Sequence, residues 1–223
     1  MSDLALEYAL ALARLYDAHI YVTHIICPEA YQLAEPGLAE MTYQKMRQAA
    51  EQGIGDILIS GKLRGVPHET QLYEGSLWPT VERLIKERGI DLVVTGTHGR
   101  GDLKKMVIGS VAEEVFRQAG CAVLTVGPQT RKQAPHEVDL NNILFATDFG
   151  RGAARAAEYA FSLAQEHGVR LTVLHVVEEA KAYTREGEER LRRLNIARMK
   201  QFMPPESENW CKVEFRALQG RTG

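Results

Sequence analysis

The sequence has few cysteines and no excess of charge of either sign. Cys27, Cys121 and Cys211 lie far apart without CxxC spacing, which argues against a disulfide framework and against a zinc site. Lysine and arginine number 27 and acidic residues 29, for a formal net charge of -2. Such a balance creates no overall field that would attract nucleic acid or an anionic membrane. We therefore expect a cytoplasmic protein without nucleic-acid or membrane partners and without a bound metal.

Long hydrophobic runs are also absent. No apolar stretch approaches the length of a membrane span, and the N-terminus has acidic residues and helical periodicity where a signal peptide would be basic and then apolar. The chain has 223 residues, of which 45% are hydrophobic. These residues are sufficient for a core, in one large domain or in two small ones.

An internal repeat is present instead. Residues 7–26 and 158–177 align without a gap and share, among others, Tyr8 with Tyr159 and His24 with His175. In each copy an amphipathic helix leads into a short β-branched strand. Duplication of one unit is the simplest explanation.

The pattern around this repeat alternates helices with strands, which is typical of a parallel sheet covered on both sides. In copy one it predicts helices at 38–61, 77–89 and from Ser110, and strands at 20–26, 68–74, 91–95 and 122–126. The predicted inner faces are Leu38, Met41, Met46 and Ala50 in the second helix, and Val111, Val115 and Ala119 in the last. The strand at 91–95 is predicted to be buried on both faces. Copy two predicts strands at 143–149 and 171–177, a helix at 152–167 between them, and a strand with Val213, Phe215 and Ala217 on one face.

Each copy lacks a different end of the unit. Copy one has no counterpart of the strand at 143–149, and copy two has no counterpart of residues 76–126. We therefore predict a first domain at 1–128, a linker at 129–142 and the N-terminal half of a second domain at 143–223. We also expect the chain to be the middle of a longer tandem protein.

The stretch "GTHGRGDLKKMVIGSV" follows a buried strand and has Gly96, Gly99, Gly109 and Ser110 at a spacing G-2x-G-9x-G-S. This spacing fits neither GxGxxG nor the Walker A loop. Glycine at the end of a strand lets backbone amides approach a phosphate without interference from a Cβ atom. Ser110 begins a helix, where unpaired N–H groups and the helix dipole favour an anion.

This stretch resembles the nucleotide-binding signature of the universal stress protein family. The resemblance extends to the strand "ATDF" and to the repeated helix and strand. It implies an α/β fold with a parallel five-stranded sheet sandwiched by helices, Rossmann-like with strand order 3-2-1-4-5, here as a tandem repeat with both copies incomplete. It also implies domains that pair through their last strands, as a homo-oligomer or as a pseudo-dimer of the two repeats. The ligand implied is ATP, alone or with Mg²⁺.

The nucleotide-binding residues predicted in this way lie in both copies. They are Gly96, His98, Gly99, Gly109, Ser110, Val111, Ile25 and Asp148. Three of them have an alternative role that involves no ligand. Ser110 with Glu113 forms the capping-box pattern "SVAE", His98 is equally consistent with a solvated loop residue, and Asp148 can be the N-cap of the following helix. His24 and His175 have no acidic or cysteine partners at ligand spacing and are predicted to be structural.

The predicted site is split, because copy one has the glycine motif and copy two has Asp148. One alternative places the strand at 143–149 beside the strand at 92–95, so that Asp148 lies next to Gly96. The function we favour is ATP binding in stress response or signalling without efficient catalysis, because no base or nucleophile accompanies the glycines. The alternatives are an adenylyl- or phosphoryl-transferring enzyme, with Asp148 holding a metal, and a regulatory domain of a transporter or kinase.

Overall fold

The computed structural model describes residues 3–28, 36–97, 110–127, 140–178 and 184–220. The chain divides into two compact units, Met1–Val138 and Asp139–Gly223, which we call the first and the second unit. The described helices are α1 (Asp3–Tyr16), α2 (Pro36–Ile59), α3 (Leu77–Arg88), α4 (Ser110–Gln118), α5 (Ala153–His167) and α6 (Arg185–Lys200). The described strands are β1 (Ile20–Ile26), β2 (His68–Glu74), β3 (Leu92–Gly96), β4 (Ala122–Val126), β5 (Asn142–Ala146), β6 (Arg170–Glu178) and β7 (Val213–Gly220).

The first unit contains two parallel strand pairs. β1 pairs with β2, with Ile20 opposite His68, and β3 pairs with β4, with Gly96 opposite Val126. Helices alternate with these strands along the chain, so the predicted α/β class is confirmed. The five-stranded order 3-2-1-4-5 stays a prediction, because the described sheets have two, two and three strands.

The core of the first unit is built on α1. Leu6, Leu10 and Ala13 recur at helical spacing and are buried, so one face of the helix is apolar. That face packs with Val22 of β1 and with a group from α2 and the segment after it, Ile57, Leu63 and Val66. α1 also contacts β3 and β4.

The predicted inner face of α2 is wrong in its first half. Leu38 and Met41 are 57% and 56% exposed, whereas Ala50 and Ile57 are buried. At 1.5 Å per residue a helix of 24 residues is about 36 Å long, and a strand of 7 residues such as β1 spans only about 23 Å. The first residues of α2 therefore extend beyond the length that the strand can cover, whereas Tyr43 still reaches Glu74 at the end of β2.

β3 is not buried on both faces as the sequence predicts. Leu92 is 38% exposed and the other residues of the strand are half-buried. A strand is fully buried only where neighbours continue on both edges and helices cover both faces. Among the described residues β3 has one neighbouring strand, β4, and this explains the exposure.

The second unit is a three-stranded parallel sheet in the order β5-β6-β7. Its core contains Phe161 of α5, Val173 of β6 and Met199 of α6, and Val173 and Met199 are completely buried. The alternation predicted for β7 is confirmed, because Val213, Phe215 and Ala217 pack in this core while Arg216 is exposed. The alternative pairing of residues 143–149 with 92–95 is wrong: among the described strands, β5 pairs with β6, Phe145 lying opposite Val173, and β3 pairs with β4 alone.

Two helices end at a glycine in the left-handed region. Gly89 after α3 has φ 60° and Gly168 after α5 has φ 59°. A residue with a Cβ atom is strained in this conformation, which is why glycine is common there. The sequence patterns did not predict α6. It begins after Thr184, whose side-chain oxygen accepts a hydrogen bond from the Gly187 amide at 3.2 Å.

Candidate functional site

The glycine motif begins at the carboxyl end of β3. Gly96 is the last residue of the strand and lies opposite Val126. The pairing continues one residue further, where the Thr97 amide donates to the Val126 carbonyl oxygen at 3.0 Å. The chain therefore enters the motif from a fixed strand end, at the edge where ligands of open α/β sheets bind.

The rest of the motif is only partly described. His98, Gly99 and Gly109 lie outside the described residues, as does the side chain of Ser110. Ser110 is the first residue of α4, as predicted. The carboxylate of Glu113 accepts a hydrogen bond from Arg117 one turn later, at 3.0 Å.

The predicted inner face of α4 needs a correction at Val111. This side chain is 49% exposed, whereas Ala112 and Val115 are 1% and 3% exposed. The buried stripe of α4 therefore begins one residue later than predicted. Because Val111 is in the first turn, its exposed side chain lies at the same end of the helix as the unpaired N–H groups.

Ile25 is the penultimate residue of β1. It lies opposite Tyr73 of β2 and is half-buried. The next residue, Ile26, is completely buried, and its carbonyl oxygen accepts from the Gly75 amide at 3.1 Å. Ile25 and Gly96 both lie at carboxyl ends of strands in the first unit, in different sheets.

Asp148 lies in a tight turn after β5, in the second unit. The Gly150 amide donates to Asp148 Oδ1 at 2.7 Å, and the Phe149 amide donates to Thr147 Oγ1 at 3.0 Å. Asp148 is exposed while Thr147 is buried. The turn thus presents a carboxylate to solvent with one oxygen held by the backbone.

The alternative role of Asp148 as the N-cap of α5 is wrong. The N-cap position is Gly152, which has no side chain that could cap the helix. The Asp148 side chain instead closes the turn before the helix by bonding to Gly150. A local bond of this kind competes with capping, because it satisfies the carboxylate two residues along the chain.

His175 has the structural role that the sequence predicts. Its Nδ1 lies 2.8 Å from the Thr147 carbonyl oxygen. Since a carbonyl oxygen only accepts, the ring must donate this hydrogen bond. His175 therefore ties β6 to the residue that precedes Asp148.

A groove of about 910 Å³ lies elsewhere in the second unit, between the N-terminal half of α6 and the ends of β6 and β7. Charged side chains of α6, such as Arg185 and Glu189, and apolar strand residues, such as Val177 and Leu218, line it. Asp148, the predicted site residue of the second unit, is not among the described residues that line this groove. We therefore base the functional argument on the turn and the glycine motif rather than on the groove.

Two further classes of site are absent from the part of the chain that the structure describes. Within those ranges no three His, Cys, Asp or Glu residues are grouped so that they could hold a metal ion. No helix within the same ranges has the length and apolar character needed to cross a membrane.

Comparison with known families matches residues 1–127 and 140–201 to the universal stress protein family. The match covers most of the chain in two segments, and the described strands and helices have the parallel α/β arrangement that the resemblance implied. The chain therefore belongs to the universal stress protein family, a family of stress-response proteins.

Individual relatives agree with this assignment. A universal stress protein of Methanocaldococcus jannaschii is 27% identical over 129 residues, which cover 56% of this chain and 76% of that protein. One of Mycolicibacterium smegmatis is 30% identical over 182 residues, which cover 78% of this chain and 60% of that protein. The crystal structure of a universal stress protein from Archaeoglobus fulgidus, 19% identical, superposes with a TM-score of 0.63 over 99% of this chain and 74% of that one.

Sequence reasoning missed the surroundings of Asp148. Phe149 has φ 61° and its ring contacts Arg198 of α6, a helix that the patterns did not predict. One signal was present, since the recurrence of a histidine at the same strand position in both copies pointed to a structural hydrogen bond. Nothing in the sequence indicated that Arg198 lies near the turn.

Proposed function

We propose that this universal stress protein binds an adenine nucleotide, ATP, and acts in stress response or signalling without efficient catalysis. The observation that carries the proposal is the glycine motif, with its full spacing, between the end of β3 and the start of α4. The proposed phosphate-binding residues are Gly96, His98, Gly99, Gly109, Ser110 and Val111. The ligand is an anion because backbone amides and a helix N-terminus offer donors and positive potential.

The nucleoside half of the proposal rests on Asp148, with Ile25 at the equivalent edge of the first unit. Asp148 is exposed and one of its oxygens is held by the Gly150 amide. A carboxylate only accepts hydrogen bonds, so its second oxygen suits the hydroxyl donors of a ribose or the amine of an adenine. The proposal assigns phosphate-binding residues to the first unit and a nucleoside-binding carboxylate to the second.

Binding without efficient turnover is proposed because phosphoryl transfer requires charged groups and metal ions placed around the γ-phosphate. The signature itself provides backbone amides, which bind phosphate but neither accept a proton nor act as nucleophiles. We further propose a first universal-stress-type domain at 1–128, which lacks its first strand, a linker at 129–142, and the N-terminal half of a second such domain at 143–223. The proposed setting is the cytoplasm, with pairing through last strands.

Calorimetric titration with ATP, adenosine and pyrophosphate tests the two halves separately. Gly109→Asp is expected to weaken ATP and pyrophosphate binding by about tenfold or more, about 1.4 kcal/mol, because a carboxylate repels the phosphates. The control is Gly37→Asp, which adds the same charge at an exposed glycine with open space around it. Equal affinities of wild type and a folded Gly109→Asp variant for ATP would contradict the phosphate half.

A second pair of measurements concerns Asp148 and turnover. Asp148→Asn is expected to weaken adenosine binding by about tenfold or more and leave pyrophosphate binding unchanged, because it removes a charged acceptor.

In a single-turnover assay with Mg²⁺ and ATP, no phosphate release is expected on the scale of seconds. Release at about 1 per second would instead favour the transferring enzyme.

A further inference from the structure

Phe149 has a backbone conformation that side-chain-bearing residues rarely adopt. Its φ is 61°, in the left-handed region that favours glycine, asparagine and aspartate. An aromatic residue is retained there only when its surroundings stabilise it, and such positions are frequent beside ligands. The contacts of the ring therefore decide what this residue does.

The Phe149 ring is enclosed by three side chains. The guanidinium carbon of Arg198 lies 4.0 Å from the ring centroid, the His175 ring lies 4.4 Å away, and the Phe202 ring is stacked at 6.1 Å. Phe149 is half-buried and packs against the core of the second unit. Because these partners surround the ring, we regard it as an anchor rather than a surface for stacking a base.

The same side chains hold both neighbours of Asp148. On one side, the Thr147 amide donates a hydrogen bond to the Leu174 carbonyl oxygen at 2.9 Å. The His175 ring donates another to the Thr147 carbonyl oxygen. On the other side, Phe149 is fixed by its ring. Asp148 lies between two immobilised residues, so the direction of its carboxylate is set before any ligand binds.

We propose that Phe149, His175, Arg198 and Phe202 form an anchor that positions the Asp148 carboxylate for a nucleoside and connects α6 to that site. Phe149 acts through Asp148 and is a positioning residue. The ligand part of this inference rests on the proposed function. The other part, that the anchor fixes the conformation of the turn at residues 147–150, does not. The two parts are tested by different measurements.

The hold on the turn is tested without ligand in Phe149→Gly. Glycine tolerates the left-handed backbone, so this change removes the ring and keeps the conformation accessible. NMR hydrogen exchange of the Gly150 amide, which donates to Asp148, is expected to accelerate about tenfold or more as the turn opens. The control Phe215→Ala removes another half-buried ring from the same core and should leave this rate unchanged. An unchanged rate in Phe149→Gly would overturn the anchor.

Arg198→Met separates the cation from the rest of the anchor. It keeps an unbranched stem and removes the charge over the ring, so a smaller acceleration of about two- to fivefold is expected. Arg192→Met is the matched control on the same helix, where the side chain is exposed and forms an ion pair with Glu189. Equal rates in both variants would remove Arg198 from the anchor.

The positioning role is tested by a double-mutant cycle in adenosine affinity. Phe149→Gly and Asp148→Asn are each expected to weaken binding, and the double variant should bind as weakly as Asp148→Asn alone, because the ring acts through the carboxylate. Additive losses would overturn the positioning role. If wild type binds no adenosine while Gly150 exchange accelerates as expected, the anchor stands and the nucleoside half of the proposed function is wrong.

Discussion

At the scale of single residues, Gly150 determines where the Asp148 carboxylate lies. A Cβ atom built on Gly150 would be 2.8 Å from Asp148 Oδ1, whereas one built on Gly152 meets nothing within 4 Å. The two glycines are two residues apart, yet only at the first would a Cβ atom force the Asp148 carboxylate to move. Substitution of Gly150 by alanine therefore moves the Asp148 carboxylate without changing its charge.

Gly150→Ala is expected to displace the Asp148 side chain and to weaken adenosine binding about as much as Asp148→Asn, by about tenfold or 1.4 kcal/mol. Gly152→Ala should change adenosine affinity by less than about twofold, since nothing has to move. Calorimetry on both variants and melting without ligand provide the comparison. Equal adenosine affinity in the two alanine variants would show that the position of the carboxylate is irrelevant.

Cys211 gives a prediction about pH. Burial raises the pKa of the Cys211 thiol because desolvation disfavours the thiolate. The thiol therefore has a higher pKa in the folded than in the unfolded protein. Its contribution to the free energy of unfolding is fully present below the unfolded pKa and is lost as pH rises through the folded pKa. Between about pH 8 and 9, where an unperturbed cysteine titrates, Cys211 should be alkylated by iodoacetamide more slowly in the native than in the urea-unfolded protein. Equal rates, followed by mass spectrometry, would contradict the raised pKa.

At the scale of elements, α6 is held by few residues. Met199 is completely buried in the core of the second unit, whereas Leu194 on the same helix is 53% exposed. The helix is otherwise rich in charge, and its Ile196 packs only partly buried against the same core. Its attachment to the sheet therefore depends strongly on Met199.

Met199→Ala is expected to lower the free energy of unfolding by about 2 to 5 kcal/mol, because it leaves a cavity that the core cannot fill. Leu194→Ala, the control, should change it by less than about 0.5 kcal/mol, since the side chain is already in solvent. Urea unfolding followed by circular dichroism gives both values. Similar losses in the two variants would mean that α6 does not pack as described.

The elements also show what the sequence can predict. β1 and β2 begin and end at the predicted residues, since β-branched runs and flanking polar residues define a strand locally. The side of α2 that is covered and the exposure of β3 could not be predicted in the same way, because both depend on which other strands and helices are adjacent. In the glycine motif, the sequence alone predicted that a strand ends near Gly96 and that a helix begins at Ser110. The contact between Phe149 and Arg198 could not be predicted, because the two residues are nearly 50 positions apart and local patterns carry no information over such a distance.

At the scale of the whole molecule, the first unit presents a strand edge, at β4, that bears on the proposed pairing. In β4, Ala122 donates its amide to Asp91 and Val126 accepts from Thr97. Backbone groups alternate in direction along a strand, so Val123 and Thr125 direct theirs away from β3. These outward groups are the ones available to a second copy of the chain.

Thr125→Pro is expected to convert a wild-type dimer into a monomer, because it removes one outward N–H without breaking a bond to β3. Sedimentation velocity over a range of concentrations measures the association. Thermal melting of the variant shows whether the sheet itself is intact. A folded Thr125→Pro variant that dimerises as well as wild type would refute pairing through β4.

The most direct test of the central claim is an NMR titration of the ¹⁵N-labelled protein with ATP, because it reports where the ligand binds as well as whether it does. The account predicts that the largest amide shifts occur at Gly96, Gly99, Gly109 and Ser110, with further shifts at Ile25 and at residues 148–150. Adenosine alone should reproduce only the second set. Shifts confined to the groove between α6 and β7, or no shifts at millimolar ATP, would contradict it.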